Sequence, residues 1–282
     1  MAGRLRLHIS TAQTALESHV EFVLDELRTG YSTEGSGHDS PLDVLVILGL
    51  NSGSIAQDTP HGRYVSTSDG GYISRWGFWD VRFDDFRVGG EPRAELRLSP
   101  DVDPGHYADG IRMFFRTVMA SAAPLVDSLM FHGCAMSDPA RRFGLLFLGA
   151  SGDGKTTMAS RLDGWTCLGD DTVLVSCPEP ERTTVSGTPF AGSELHPRIA
   201  CDVPLSEVCF LQPGAVQMRK VVLDPDECFG QLMGRLMWFV DGGDLREAML
   251  DLMGRLASSL SAARLESSLH HDLSEIFDKP SC

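Results

Sequence analysis

Phe143-Gly-Leu-Leu-Phe-Leu-Gly-Ala-Ser-Gly-Asp-Gly-Lys-Thr-Thr157 decides how the rest of this chain is read. Within it, Gly149 to Thr156 matches G-x-x-x-x-G-K-[ST] in full, between a short apolar run and a segment able to form a helix. Gly149, Gly152 and Gly154 allow a tight loop whose N–H groups point inward, where a Cβ would obstruct an approaching anion. A helix starting near Lys155 adds its unpaired N–H groups and positive dipole end to the same place. Lys155 then reaches the β- and γ-phosphates of a nucleotide, and the Thr156 hydroxyl ligates Mg²⁺. Ser151, Asp153 and Thr157 complete the nucleotide-binding loop. Only three of the 24 basic residues are lysines, Lys155, Lys220 and Lys279, and one of these compact point charges stands where a phosphate needs it.

Downstream, Trp165-Thr-Cys-Leu-Gly-Asp-Asp-Thr-Val-Leu-Val175 reads as strand, acidic pair, strand. A phosphate-binding loop needs a carboxylate at a neighbouring strand end to hold Mg²⁺, and a short helix with one return strand brings Asp170 and Asp171 there. Upstream, Leu129–Met136 has strand character. With the polar turn Ser137–Arg142 it predicts a hairpin over 129–148, which carries His132 toward the loop.

Farther out, Ser10–Gly30 predicts an amphipathic helix with Leu16, Val20, Val23, Leu24 and Leu27 on one face. Tyr31–Ser40 reads as a loop or linker. Val44–Leu50 reads as a buried strand, Tyr72–Phe83 as a strand pair or one long strand, and Ala94–Leu98 as a strand. Trp76, Phe78 and Trp79 read as core aromatics. A second helix, His106–Ala123, carries Tyr107, Ile111, Phe114, Phe115, Val118 and Ala122 at helical spacing. A short helix Lys155–Leu162 follows the glycine loop, Cys177–Pro197 reads as a loop, and Val203–Leu211 as a strand ending at the turn Gln212-Pro-Gly214. The C-terminal part reads as helical: Pro225–Val240, then a helix from Asp244, where Asp244 to Glu247 resembles a capping box. His270-His271 lacks further ligands at metal-binding spacing.

The 282 residues carry a net charge of −15 with 42% hydrophobic content. That balance argues against nucleic-acid and anionic-membrane partners, which reward clustered Lys and Arg, but a nucleotide needs only a local positive pocket. Seven scattered cysteines with no C-x-x-C pair read as small buried residues in a reducing cytosol. The N-terminus has no apolar leader-like core, and the longest apolar run is too short to span a bilayer. These features predict a cytoplasmic protein.

Phe131-His132-Gly133, the hairpin, the glycine loop and Gly-Trp-Thr-Cys-Leu-Gly-Asp-Asp-Thr-Val-Leu-Val together resemble the HPr kinase/phosphorylase superfamily, more closely its members related to ATP-dependent phosphoenolpyruvate carboxykinase. The close resemblance covers about residues 129–175. Gly187-Thr-Pro-Phe190 and Val203–Leu211 are similar to later segments. The resemblance implies that Lys155 and Thr156 hold phosphates and Mg²⁺, that Asp170 is the base toward a substrate hydroxyl and Asp171 serves the metal, and that His132 supports the catalytic aspartate. Thr157 stands where HPr kinases carry glutamate, and Arg198 is a weak match to their downstream basic segment. These departures point away from HPr itself as the acceptor.

The resulting expectation is an α/β protein with a mixed-sheet phosphate-loop core of the HPr kinase/PEP carboxykinase type, a β-rich N-terminal lobe over 1–124 and a kinase core over 125–282 ending in helices. Its expected activity is ATP- and Mg²⁺-dependent transfer of the γ-phosphate to a serine-type hydroxyl of a peptide, protein or small molecule, and a homo-oligomer is compatible with the sequence. The alternatives are a nucleotide-binding regulator without transfer and a PEP carboxykinase-like enzyme.

Overall fold

Side chains in the segment Leu42–Leu50 alternate: Val44, Val46 and Leu48 are buried while Leu45 and Ile47 are exposed. A strand with one covered face has this period of two, which corrects the expectation of a buried strand. The computed structural model describes residues 5–11, 14–28, 31–33, 42–50, 65–67, 70–76, 79–101, 103–190, 198–215, 217–239 and 243–267. Their order begins β1 (Leu5–Thr11), α1 (Thr14–Arg28), β2 (Tyr31–Thr33), β3 (Leu42–Leu50), β4 (Val65–Ser66), β5 (Tyr72–Trp76), β6 (Trp79–Asp84), β7 (Arg93–Leu98) and α2 (Tyr107–Ala122). Six of these strands form a mixed sheet in the order β1-β3-β7-β6-β5-β4.

Leu16, Val20 and Val23 of α1 and Ile111, Phe114, Phe115 and Val118 of α2 cover one face of that sheet, against Val44, Val46, Phe83 and Leu96. The first helix begins at Thr14 rather than Ser10, because residues 5–11 pair in parallel with β3. The expected strand pair over 72–83 is present as β5 and β6. Trp76 and Trp79 pack on the core, and Phe78 lies outside the described residues.

The second half continues with β8 (Ser128–Ser137), β9 (Gly144–Leu148), α3 (Lys155–Ala159), β10 (Thr166–Gly169), β11 (Thr172–Ser176), β12 (Thr184–Gly187), β13 (Arg198–Ala200), β14 (Val203–Pro213), β15 (Arg219–Val222), α4 (Pro225–Met233), α5 (Gly243–Ser259) and β16 (Ser261–Ser267). Eight strands form a mixed sheet in the order β10-β8-β11-β12-β14-β16-β15, with β9 joined to both β8 and β14. Through the pairs β8–β9, β9–β14, β14–β12, β12–β11 and β11–β8 the ladder returns on itself. Leu232, Met249, Leu252, Met253 and Leu256 of α4 and α5 pack on one face, while Met158, Ala159 and Leu162 pack on the other against Cys134, Met136 and Phe147. The chain is therefore mixed α/β with two large mixed sheets and few helices. No described helix is long and apolar enough to cross a membrane.

Several expected elements differ. β2 lies in the expected linker and pairs with β13. β12 lies in the expected 177–197 loop because Val185 and Val203 pair there beside β11. α3 ends at Ala159, short of Leu162. α4 stops at Met233, and the chain then runs beside β8, where Leu236 bridges Phe131 and the Met237 N–H donates to the Met130 carbonyl at 2.9 Å. The capping box belongs to α4, through Asp224 and Glu227, whereas Asp244 sits in the first turn of α5. The C-terminal part is not wholly helical, since β16 inserts between β14 and β15. Met130, Leu174, Phe190 and Leu245 join the first core, so apolar packing runs across the expected boundary at 124/125. His270-His271 falls outside the described residues.

Candidate active site

One face of β8 is divided between two covering elements. Met130 belongs to the core under α2, whereas Cys134 and Met136 belong to the core under α3. His132 lies between them on the same face by the period of two, and its side chain is 41% exposed. This gap is where the predicted site residues converge. Leu148 pairs with Gly133, so the chain enters the glycine loop beside His132. Thr172 pairs with His132, and the Gly133 N–H donates to the Asp171 carbonyl at 3.1 Å. The expected hairpin and the strand–acidic pair–strand unit thus bring His132, the loop and the two aspartates to one point.

The loop has the backbone its glycines predict. Gly152 and Gly154 have φ of +89° and +88°, conformations that residues with a Cβ adopt at a cost. A Cβ on Gly149 would lie 3.0 Å from Asp153, whose carboxylate accepts the Ala150 N–H. Gly154 caps α3, and the Met158 N–H closes its first turn on the Gly154 carbonyl at 2.8 Å. Lys155 is 7% exposed, and its ammonium donates to the Gly149 and Ala150 carbonyls at 3.0 and 2.8 Å. Burial holds it below the ordinary lysine range, against the pull of Asp153 and Asp171. Thr156 is half-buried beside it, while Ser151 and Thr157 are exposed on the loop and first turn.

Both oxygens of Asp171 have partners. Oδ1 lies 3.3 Å from His132 Nδ1, and Oδ2 lies 2.8 Å from Arg116 Nη2. The Thr172 hydroxyl also donates to Oδ2, at 3.2 Å. Burial raises this carboxyl, yet the His132 hydrogen bond and the Arg116 and His132 charges outweigh it and hold Asp171 below the usual carboxylate range. Asp170 is buried next to it. Beneath the pair, Cys134 is hydrogen-bonded to Cys167 and buried, which pushes its thiol well above the ordinary range. It is a packing residue rather than a nucleophile. Of the six cysteines among the described residues five are buried, as expected of small packing residues.

Arg116 is the residue that sequence reasoning missed. No local pattern signals it: in the structure α2 buries Thr117, Met119, Ala120 and Ser121 as well as its apolar stripe, and an arginine on so enclosed a helix needs an anionic partner. Phe190 completes the surroundings, its ring centre 5.3 Å from the Arg116 guanidinium carbon. The segment before it is fixed by the Thr188 hydroxyl, which donates to the Thr172 carbonyl at 2.9 Å. Among the described residues no cluster of three or more His, Cys, Asp or Glu forms a metal-binding group. A divalent ion here would take oxygens from Thr156, one carboxylate, phosphate and water.

No protein-family model matches the chain, and no curated protein matches it.

Proposed function

We propose that this chain is an ATP- and Mg²⁺-dependent phosphotransferase that moves the γ-phosphate to a serine-type hydroxyl of a peptide, protein or small molecule. The carrying observation is the meeting of the glycine loop and Lys155 with His132 and the aspartate pair across His132–Gly133 of β8. Two features fit a triphosphate: a loop kept tight by positive φ at Gly152 and Gly154, and a buried ammonium whose hydrogen bonds go to neutral carbonyls of the loop. The strand, loop and helix start are consistent with a phosphate-loop core of the HPr kinase/PEP carboxykinase type.

Phosphoryl transfer asks mainly for positioning and neutralisation of charge on the transferred oxygens. In this reading the loop N–H groups from Gly149 to Thr156 orient the β- and γ-phosphates, and the Lys155 ammonium turns from the loop carbonyls to the phosphate oxygens. The Thr156 hydroxyl and Asp171 would hold Mg²⁺, which when bound would supply neutralisation of phosphate charge. Asp170 accepts the proton of the acceptor hydroxyl, and His132 orients the pair through Asp171. A base as weak as an aspartate suffices because the proton leaves only as transfer proceeds.

The test is γ-phosphate transfer from ATP with Mg²⁺ to free serine and to a serine-peptide pool, for wild type, Lys155→Ala, Asp170→Asn and Asp171→Asn. Transfer lost in an aspartate variant that still binds ATP supports a kinase with a carboxylate base. Tight ATP binding without transfer in any protein would instead make the chain a nucleotide-reading regulator.

A further inference from the structure

We propose that Arg116, carried into the site by α2, is a positioning residue that fixes the Asp171 carboxylate for phosphoryl transfer, an inference that rests on the phosphotransferase reading above. Its guanidinium holds Oδ2 at 2.8 Å while His132 holds Oδ1 at 3.3 Å, so the carboxylate is gripped from two elements that belong to different parts of the fold. The other side of the guanidinium lies over the Phe190 ring, and the arginine side chain is 18% exposed. Neighbouring residues on the helix, Phe114, Phe115 and Val118, are locked into the first core. The helix therefore cannot shift without moving the carboxylate's partner.

Stability alone is a poor explanation for this pair. Withdrawing an arginine and an aspartate from water costs about as much as their attraction returns, and apolar residues of similar volume often serve a fold as well. Preorganisation gives the arrangement a use: a carboxylate with both oxygens engaged has one orientation before substrate arrives. The charged and titratable groups around Asp171 are His132 from β8, Arg116 from α2, Lys155 at the start of α3 and its neighbour Asp170. Arg235 acts at one remove, through Lys155 and through its carbonyl on the His132 N–H. Within this nearest group Arg116 and His132 touch the Asp171 carboxylate, whereas Lys155 is committed to the loop. Loss of Arg116 frees Oδ2 from the guanidinium, so the carboxylate can turn away from the orientation that the two contacts impose.

The experiment compares crystal structures, steady-state kinetics and thermal melting of full-length wild type, Arg116→Gln, Arg116→Lys and the exposed control Arg182→Gln. The expected result for Arg116→Gln is an Asp171 carboxylate turned away from its wild-type orientation, with kcat reduced about 10²-fold by the misplaced group and KM for ATP changed little. Arg116→Lys should recover part of the orientation and of kcat. An Asp171 carboxylate that keeps its orientation in Arg116→Gln overturns the proposal. So does a fall in activity that follows lowered thermal stability with no rescue by lysine, because that pattern belongs to packing alone. If Arg116→Gln fails to fold, Arg116→Lys decides by the same two readouts. Absence of transfer in the wild type would remove the phosphotransferase reading. The carboxylate's orientation would then judge the Arg116 grip separately: turned in Arg116→Gln it supports the grip, and unmoved it refutes it.

Discussion

Replacing Gly187 by alanine is expected to strike the acidic pair from behind. The new Cβ would lie 1.7 Å from the Leu168 carbonyl oxygen and 2.6 Å from its carbon, where ordinary contact begins at 3.4 Å. Gly187 is paired with Val173 of β11, and Leu168 stands two residues before Asp170. The clash is therefore between two backbones, with no side chain free to swing aside. Relief requires a retreat of roughly 1.7 Å, and a misplacement of 1 Å near a reacting centre costs about 10²-fold in rate. Overpacking by a single methyl typically costs about 1–3 kcal/mol, with rigid backbone contacts at or above the upper end. At about 2.1 cal/mol/K per residue, unfolding entropy for 282 residues is roughly 0.6 kcal/mol/K, so 3 kcal/mol corresponds to a Tm lower by about 5 °C. Thermal denaturation followed by circular dichroism gives the first number, and transfer of labelled γ-phosphate gives the second. A variant melting within 1 °C (roughly, on this scale) of wild type would refute the steric argument.

Three further outcomes are expected. Lys155→Met should hold or raise Tm, because it removes an ammonium whose charged form is disfavoured by burial, while abolishing the thermal shift given by ATP; a fall in Tm would mean that the lysine serves the fold. Asp138 is buried in the β8–β9 turn, where its carboxylate accepts the N–H groups of Arg142, Phe143 and, more distantly at 3.3 Å, Ala140. Burial raises that carboxyl, but these bonds outweigh it and hold it low. Its stabilisation is thus complete above the unfolded value near 3.9 and disappears as pH falls through the lower folded value. Asp138→Asn should accordingly cost about 2 kcal/mol at pH 7 and converge with wild type in acid, and a constant difference in urea denaturation down to about pH 2 would contradict this. Gly254, inside α5 with no atom within 4 Å of an added Cβ, should accept alanine with a gain of about 0.5–1 kcal/mol, and lower stability in urea would show that the site is more crowded than that.

Much of the second sheet was legible because its signals are local. The hairpin over 129–148 and the strands around Asp170-Asp171 follow from apolar runs bounded by polar turns. The C-terminal strand β16 was not, since Ser261-Ala-Ala-Arg-Leu-Glu-Ser267 has helix-favouring composition and becomes a strand only because β14 and β15 offer a slot between them. Tertiary pairing there overrides propensity. β12 was hidden in the same way: Thr184-Val-Ser-Gly187 is too short to signal a strand, and its pairing partners lie on either side of it in sequence. By contrast β1 was readable, as Leu5, Leu7 and Ile9 alternate, but the helix after it drew the boundary too early.

The candidate site divides along the same line. Lys155, Thr156 and the glycines are contiguous, so the proposed phosphate cradle rests on spacing alone. His132 and the aspartates needed one inference each, a hairpin and a return strand. Arg116 needed the packing of α2 across both sheets, which no local pattern contains: its helix buries Phe114 and Phe115 against the first sheet while Arg116 reaches the second. Asp171 is therefore held by a residue outside the 129–175 segment that carries the motif. If the Arg116 grip holds, that segment expressed by itself would lack one of the two contacts that orient Asp171, and the first sheet contributes to the site through the helix it anchors. A motif can propose a site; the orientation of the groups around it depends on the rest of the fold.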